Sequence, residues 1–163
     1  MRHSLDGGPL TPVLASKSDV SYPEFSPDGR WLAYVSDESG RSEVYVQPYP
    51  GPGPRHRVST GGGAAPAWSR RGEMFYTVQV TPELMRMMSV PFTVTPSFAA
   101  GTPQVLFEGL YGRLQGLTRG YDVSLDGQTF YLTQRKTRPP IRVTQMVLVQ
   151  NWVEELKRRV PTK

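Results

Sequence analysis

The chain has 163 residues, a formal net charge of +5 and no cysteine, which excludes disulfides, thiolate nucleophiles and Cys-ligated zinc. No run approaches the roughly 18 consecutive apolar residues of a membrane-spanning helix. Glycine and proline, 16 of each, make up about a fifth of the chain, below the roughly 25–30% of low-complexity sequence and in keeping with many short strands joined by tight turns.

Met1 to Gly8 lacks the apolar core of a signal peptide, so any export address lies outside this sequence. Leu10 to Ala15 reads as a strand behind the turn Leu5-Asp6-Gly7-Gly8. Tyr22 to Phe25 then enters Ser26-Pro27-Asp28-Gly29, a strong turn signal: Pro27 presets φ, Asp28 bonds neighbouring amides, and Gly29 accepts positive φ. Trp31 to Val35 leaves the turn as a run apolar on both faces, the pattern of a strand in a doubly covered sheet. Glu43 to Gln47 alternates, Pro48 to Pro54 is a surface loop, His56 to Thr60 an outer strand, and Gly61-Gly62-Gly63 a crossover. The plan repeats with Pro66 to Trp68, Met74 to Val78, Leu84 to Val90 and Gln104 to Phe107. A third unit offers Tyr121 to Val123, Thr129 to Thr133 and Val143 to Val149. Asn151 to Arg159 is predicted helical, with Trp152, Val153 and Leu156 on one side, acid early and base late, and Pro161 as its stop.

Across these units an apolar residue precedes Ser, and Gly follows three positions after it: Ser26 to Gly29, Ser69 to Gly72, and Ser124, Asp126 and Gly127. A repeat of about 40–45 residues is the length of one propeller blade. The predicted fold is all-β: a partial β-propeller of about three four-stranded antiparallel blades with a short C-terminal helix. The expected divisions are 1–19, an outer-strand remnant of a preceding blade; 20–62 and 63–109, blades; 110–149, a last blade of three strands; and 150–163, a helix and tail. Closed rings typically have about 4–8 blades, so an arc from a larger protein is expected.

Phe25 to Tyr34 resembles the TolB-like (WD-like) β-propeller repeat, whose hallmark is an apolar residue and Ser-Pro-Asp-Gly ahead of an apolar strand. The second copy has Arg70 and Arg71 for Pro and Asp, and the third has Leu125 for Pro. Ser36 to Gly40, Tyr45 to Gly51, Ser59 to Gly63 and Asn151 to Lys157 are similar to the C-terminal part of bacterial proteins in which a eukaryotic-type Ser/Thr kinase precedes such a propeller. That resemblance implies a sensor or interaction region, often on the extracytoplasmic (periplasmic) side of a membrane. No kinase motif is present, since His56-Arg57 is followed by Val58 and not Asp.

Function is therefore expected to be non-catalytic binding, with no cofactor, no metal and no catalytic residue. The expected partners are the remaining blades, another protein or a small ligand. The alternative is the propeller portion of a prolyl-oligopeptidase-like hydrolase, disfavoured because Gly-x-Ser-x-Gly is absent and only a short helix follows. Nucleic acid is not expected: the basic excess at Lys157, Arg158, Arg159, Lys163, Arg135, Lys136 and Arg138 lacks interleaved aromatics. Asp28 and Asp126 are read as caps of turn amides, His56 as a solvated surface residue, and Met85, Met87 and Met88 as core between blades. The segment Tyr111 to Gly120 leads into an innermost strand near the funnel where propellers take ligands, which makes Tyr111, Arg113 and Arg119 the candidate binding residues. An arc should also leave an apolar sheet face uncovered at each end, supplied by residues such as Trp31, Tyr34, Met85, Met87 and Met88.

Overall fold

The computed structural model describes residues 7–9, 11–14, 16–95, 97–111, 119–134 and 158–159. The predicted strand Val143 to Val149 and Arg113 lie outside them, as does most of the predicted helix, of which only Arg158 and Arg159 are described, with helical backbone.

β1 (Val20–Phe25), β2 (Trp31–Ser36), β3 (Glu43–Pro48) and β4 (His56–Arg57) form an antiparallel sheet in chain order. A second sheet repeats it with β5 (Ala64–Trp68), β6 (Glu73–Gln79) and β7 (Met85–Thr93). Both β8 (Ala99–Ala100) and β9 (Gln104–Gly109) pair with β7, β8 at Phe92 and Thr93 and β9 between Met85 and Ser89. β10 (Tyr121–Val123) and β11 (Phe130–Leu132) form a third hairpin, extended by a bridge between Tyr111 and Gln134.

The sheets stack face to face, and the middle one is buried on both sides. Successive side chains of a strand point to opposite faces, so Met74 and Tyr76 of β6 pack toward Ala33, Val35, Val44 and Val46 of the first sheet. Phe75, between them, packs with Ala65, Ala67 and Met87 toward Tyr121, Phe130 and Leu132 of the third hairpin. Met87 and Met88 divide in the same way, one toward each neighbour. This accounts for the unbroken apolar runs: each fully buried side chain of this size contributes about 1.5–3 kcal/mol, and a sandwiched sheet collects that on two faces.

Two expectations are corrected. Tyr34, expected on an uncovered end face, is 1% exposed, and Met87, named for such a face as well as for the core between blades, is core at 2%. The outer face of the first sheet, with Leu32, Tyr34 and Tyr45, is packed against Val13, Leu14 and Tyr49. His56 is half-buried rather than solvated. Its ring lies 5.2 Å from Phe98 and 6.4 Å from Trp31, and Nε2 is buried with no hydrogen-bond partner among the described residues.

The crossover between the first two sheets is fastened by one buried carboxylate. Glu43 accepts hydrogen bonds from the Ser59 hydroxyl, from the Gly62 N–H at 3.1 Å and from Arg41 Nε at 2.8 Å. A buried carboxylate persists only when paired and hydrogen-bonded, and two of its three partners here, Ser59 and Gly62, belong to the chain that must cross.

Candidate functional site

Each sheet's first hairpin turns on the repeated serine. In the first, the Ser26 hydroxyl donates to Asp28 Oδ1 at 2.6 Å and accepts from the Trp31 N–H at 2.9 Å. The Gly29 N–H closes the turn on the Ser26 carbonyl, with Gly29 at φ +70°. The third turn has the same geometry: Gln128 and Thr129 N–H groups are held by Asp126 and Ser124, and Gly127 sits at φ +72°. The second turn lacks the carboxylate, and Ser69 Oγ accepts from the Arg71 N–H at 2.9 Å instead. The Ser26 hydroxyl, the Arg30 N–H and the Arg30 guanidinium hold the Asp28 carboxyl down at about 2. These carboxylates are spent on turn amides, and among the described residues no group of three or more His, Asp or Glu could hold a metal ion.

A second repeated feature lies four residues before each turn serine. Tyr22, Ala65 and Gly120 occupy that place, and all three are left-handed, at φ +53°, +51° and +61°. In β1 and β5 the pairing register shifts there, between Ser21 and Glu24 and between Ala64 and Ala67. The following residues, Pro23 and Pro66, have no N–H to give a ladder. A non-glycine residue held left-handed costs about 1–3 kcal/mol, and such strain gathers where backbone is re-aimed at a site.

In the second sheet the bulge frees two carbonyls, and the next hairpin takes both. The buried Tyr121 hydroxyl donates to the Ala65 carbonyl at 2.6 Å, and Arg119 Nη1 donates to the Pro66 carbonyl at 3.3 Å. Arg119 also pairs with Glu24 of β1 and Asp122 of β10, each at 3.2 Å, and lies 5.5 Å over the Tyr121 ring. One guanidinium thus ties all three innermost strands. Burial pushes the Tyr121 phenol up, so it stays a donor at neutral pH.

Beside this junction is a cavity of about 40 Å³, walled by residues that include Tyr22, Met85, Met87, Tyr111, Arg119 and Tyr121. Tyr111 and Arg119 meet here from opposite ends of their segment. Tyr111 stands edge-on to Phe107 at 5.7 Å, and its ring occupies the space a Cβ at Gly109 would need. The walls are aromatic and thioether with two partly exposed guanidinium groups, Arg86 paired with Glu108 and Arg119 paired with Glu24, so the site can grip an apolar group and orient an acceptor. Sequence reasoning read Met85 as core between blades and missed Tyr22 and the bulges. Their one available signal was a proline inside two strand patterns, which marks a bulge or an edge.

No family model matches the sequence. Local stretches are similar to the Tol-Pal system protein TolB. They are 38% identical over 71 residues to that of Alcanivorax borkumensis, covering 42% of this chain and 16% of the relative. They are 51% identical over 43 residues to that of Nitrosococcus oceani, covering 26% and 10%. The crystal structure of TolB from Acinetobacter baumannii aligns with a TM-score of 0.48 at 21% identity, over 80% of this chain and 41% of that one. The chain thus spans a small part of its curated relatives, and what it shares with them is a TolB-like repeat.

Proposed function

We propose that this chain is a non-catalytic binding module, a TolB-like partial propeller whose axial pocket anchors a segment of another protein or a small ligand. The observation that carries this reading is the meeting of Tyr111 and Arg119 in one pocket, walled by strained innermost strands. Left-handed Tyr22 and Ala65 cost stability, and the packing around them offsets that cost while aiming side chains at the axis. Arg119, already paired, would present a fixed donor rather than a mobile one.

The test is a photo-crosslinking residue placed at Tyr111, compared with the same residue at Tyr131, which is 66% exposed on the third hairpin. A discrete crosslinked partner at Tyr111, absent at Tyr131 and diminished by Arg119→Ala, supports the pocket. Equal labelling at the two positions sinks it. The finer reading, a sensor region of a larger bacterial kinase-associated protein, rests on the similarity of residues 36–40, 45–51, 59–63 and 151–157. It requires a kinase reading frame in the parent gene, and an upstream sequence without one would contradict it.

A further inference from the structure

The two seams between successive turns are built differently. Where the second turn meets the third, the Arg70 N–H donates to the Leu125 carbonyl at 3.3 Å. Gly127 presses so closely there that a Cβ on it would stand 2.9 Å from Ser69 Oγ. Where the first turn meets the second, the residue corresponding to Arg70 is Pro27, which has no N–H to donate. The acceptor corresponding to Leu125 is the Arg70 carbonyl, which accepts no hydrogen bond among the described residues. Gly72, the counterpart of Gly127, has the Phe92 carbonyl of its own sheet as its nearest neighbour, not Ser26. The seam stays open as a cleft of about 410 Å³, floored by Trp31, Phe92 and Val94 and rimmed by Pro27, Asp28 and Arg70.

The charges on the rim are unequal. Asp28 is engaged by the Ser26 hydroxyl and by the Arg30 N–H and guanidinium. Arg41, Arg55, Arg86 and Arg119 each pair with a carboxylate. The exposed guanidinium of Arg70 has no partner among the described residues.

We propose that this cleft binds an acidic peptide segment. A peptide N–H takes the Arg70 carbonyl in place of the donor that Pro27 lacks, an acidic side chain pairs with the Arg70 guanidinium, and an apolar neighbour lies on Trp31 and Phe92. The backbone acceptor selects a peptide over a free carboxylate, and the unpaired cation selects an acidic one. The site is distinct from the axial pocket, so either can fail alone.

Titration of the full chain with a short capped peptide alternating aspartate and phenylalanine, fluorescein-labelled, tests it by anisotropy. Saturable binding that weakens with added salt is expected. Arg70→Glu removes a charge-assisted hydrogen bond, and loss of about tenfold or more in affinity is expected. Arg57→Glu, the same charge change on exposed β4, should bind as the parent does. Pro27→Ala restores the missing donor without removing any recognition group, and weaker binding is expected as the seam closes. Circular dichroism verifies the fold, and Arg70, being exposed, decides the matter if Pro27→Ala does not fold. Three results would each overturn the proposal: an Arg70→Glu chain that binds like the parent, equal binding of a lysine-for-aspartate peptide, or full competition by phenylacetate at the peptide's own concentration.

Discussion

Gly29 and Gly127 hold the same place in two turns, at φ +70° and +72°, yet a methyl group added to each meets different surroundings. At Gly29 nothing lies within 4 Å, so Gly29→Ala bears only the left-handed penalty, about 1–2 kcal/mol. At Gly127 the same methyl would stand 2.9 Å from Ser69 Oγ, and Ser69 is 1% exposed and has nowhere to go. Overpacking adds about 1–3 kcal/mol, so thermal melts should rank the parent above Gly29→Ala and that above Gly127→Ala. Equal melting shifts would remove the seam contact from the account. Asp28 makes a pH prediction. Its carboxyl is held at about 2, against 3.8 in an unperturbed chain. Between those values the unfolded chain binds more protons, so stability rises with pH there. The contribution is complete above the unfolded value and is lost as pH falls through about 2. Urea midpoints between pH 2 and 5 should climb less steeply in Asp28→Asn than in the parent, and parallel curves would contradict this. The turn chemistry was legible because Ser26, Pro27, Asp28 and Gly29 act on their own neighbours. The difference between the seams was not, because it depends on whether Arg70 meets Leu125, far away in sequence.

Strands carry the next layer, and the bulges of β1 and β5 are their least regular feature. Ala65 and Gly120 share a repeat position and a left-handed backbone but not a side chain. Ala65→Gly exchanges strain for unfolded-state entropy. With strain of about 1–3 kcal/mol against about 0.4–1 kcal/mol for the added glycine freedom, it should be neutral to stabilising. Gly120→Ala should destabilise by about 1–2 kcal/mol. Denaturant unfolding of both variants checks the pair, and a destabilised Ala65→Gly would count against the left-handed assignment. The hairpins and their doubly covered sheets were readable from unbroken apolar runs such as Met74, Phe75 and Tyr76. The bulges needed dihedral angles, for which Pro23 and Pro66 gave only a hint. Among the candidate site residues, Tyr111 and Arg119 were named from the sequence as ends of one segment. That Arg119 would reach Glu24 and Pro66 was not written in that stretch of sequence, because those partners lie on other sheets.

At the scale of the molecule, the three stacked sheets leave apolar surface in a different place from the one the sequence suggested. Tyr34 and Met87 are internal because a neighbour covers each face, while Val105 and Leu106 are 50% and 44% exposed on β9. Among the described residues β9 pairs only with β7, so its other edge presents unpaired backbone beside apolar side chains, a template for association. Sedimentation velocity should show concentration-dependent self-association that Val105→Lys reduces. An ideal parent monomer at every concentration would contradict this.

The stacking itself is what brings Tyr111, Arg119 and the left-handed residues to one pocket, and two contacts report on it directly. Trp68 Nε1–H donates to the Glu24 carbonyl at 3.0 Å across the first seam, and the Tyr121 hydroxyl donates to the Ala65 carbonyl at 2.6 Å across the second. The chain has three tryptophans, so the indole N–H region of a proton NMR spectrum is sparse enough to assign. A nuclear Overhauser spectrum should show the Trp68 indole proton close to backbone protons of Glu24 and Phe25, and the Tyr121 ring close to the Ala65 methyl. A dispersed spectrum of a folded chain in which neither cross-peak appears would contradict the stacked arrangement and, with it, the axial site.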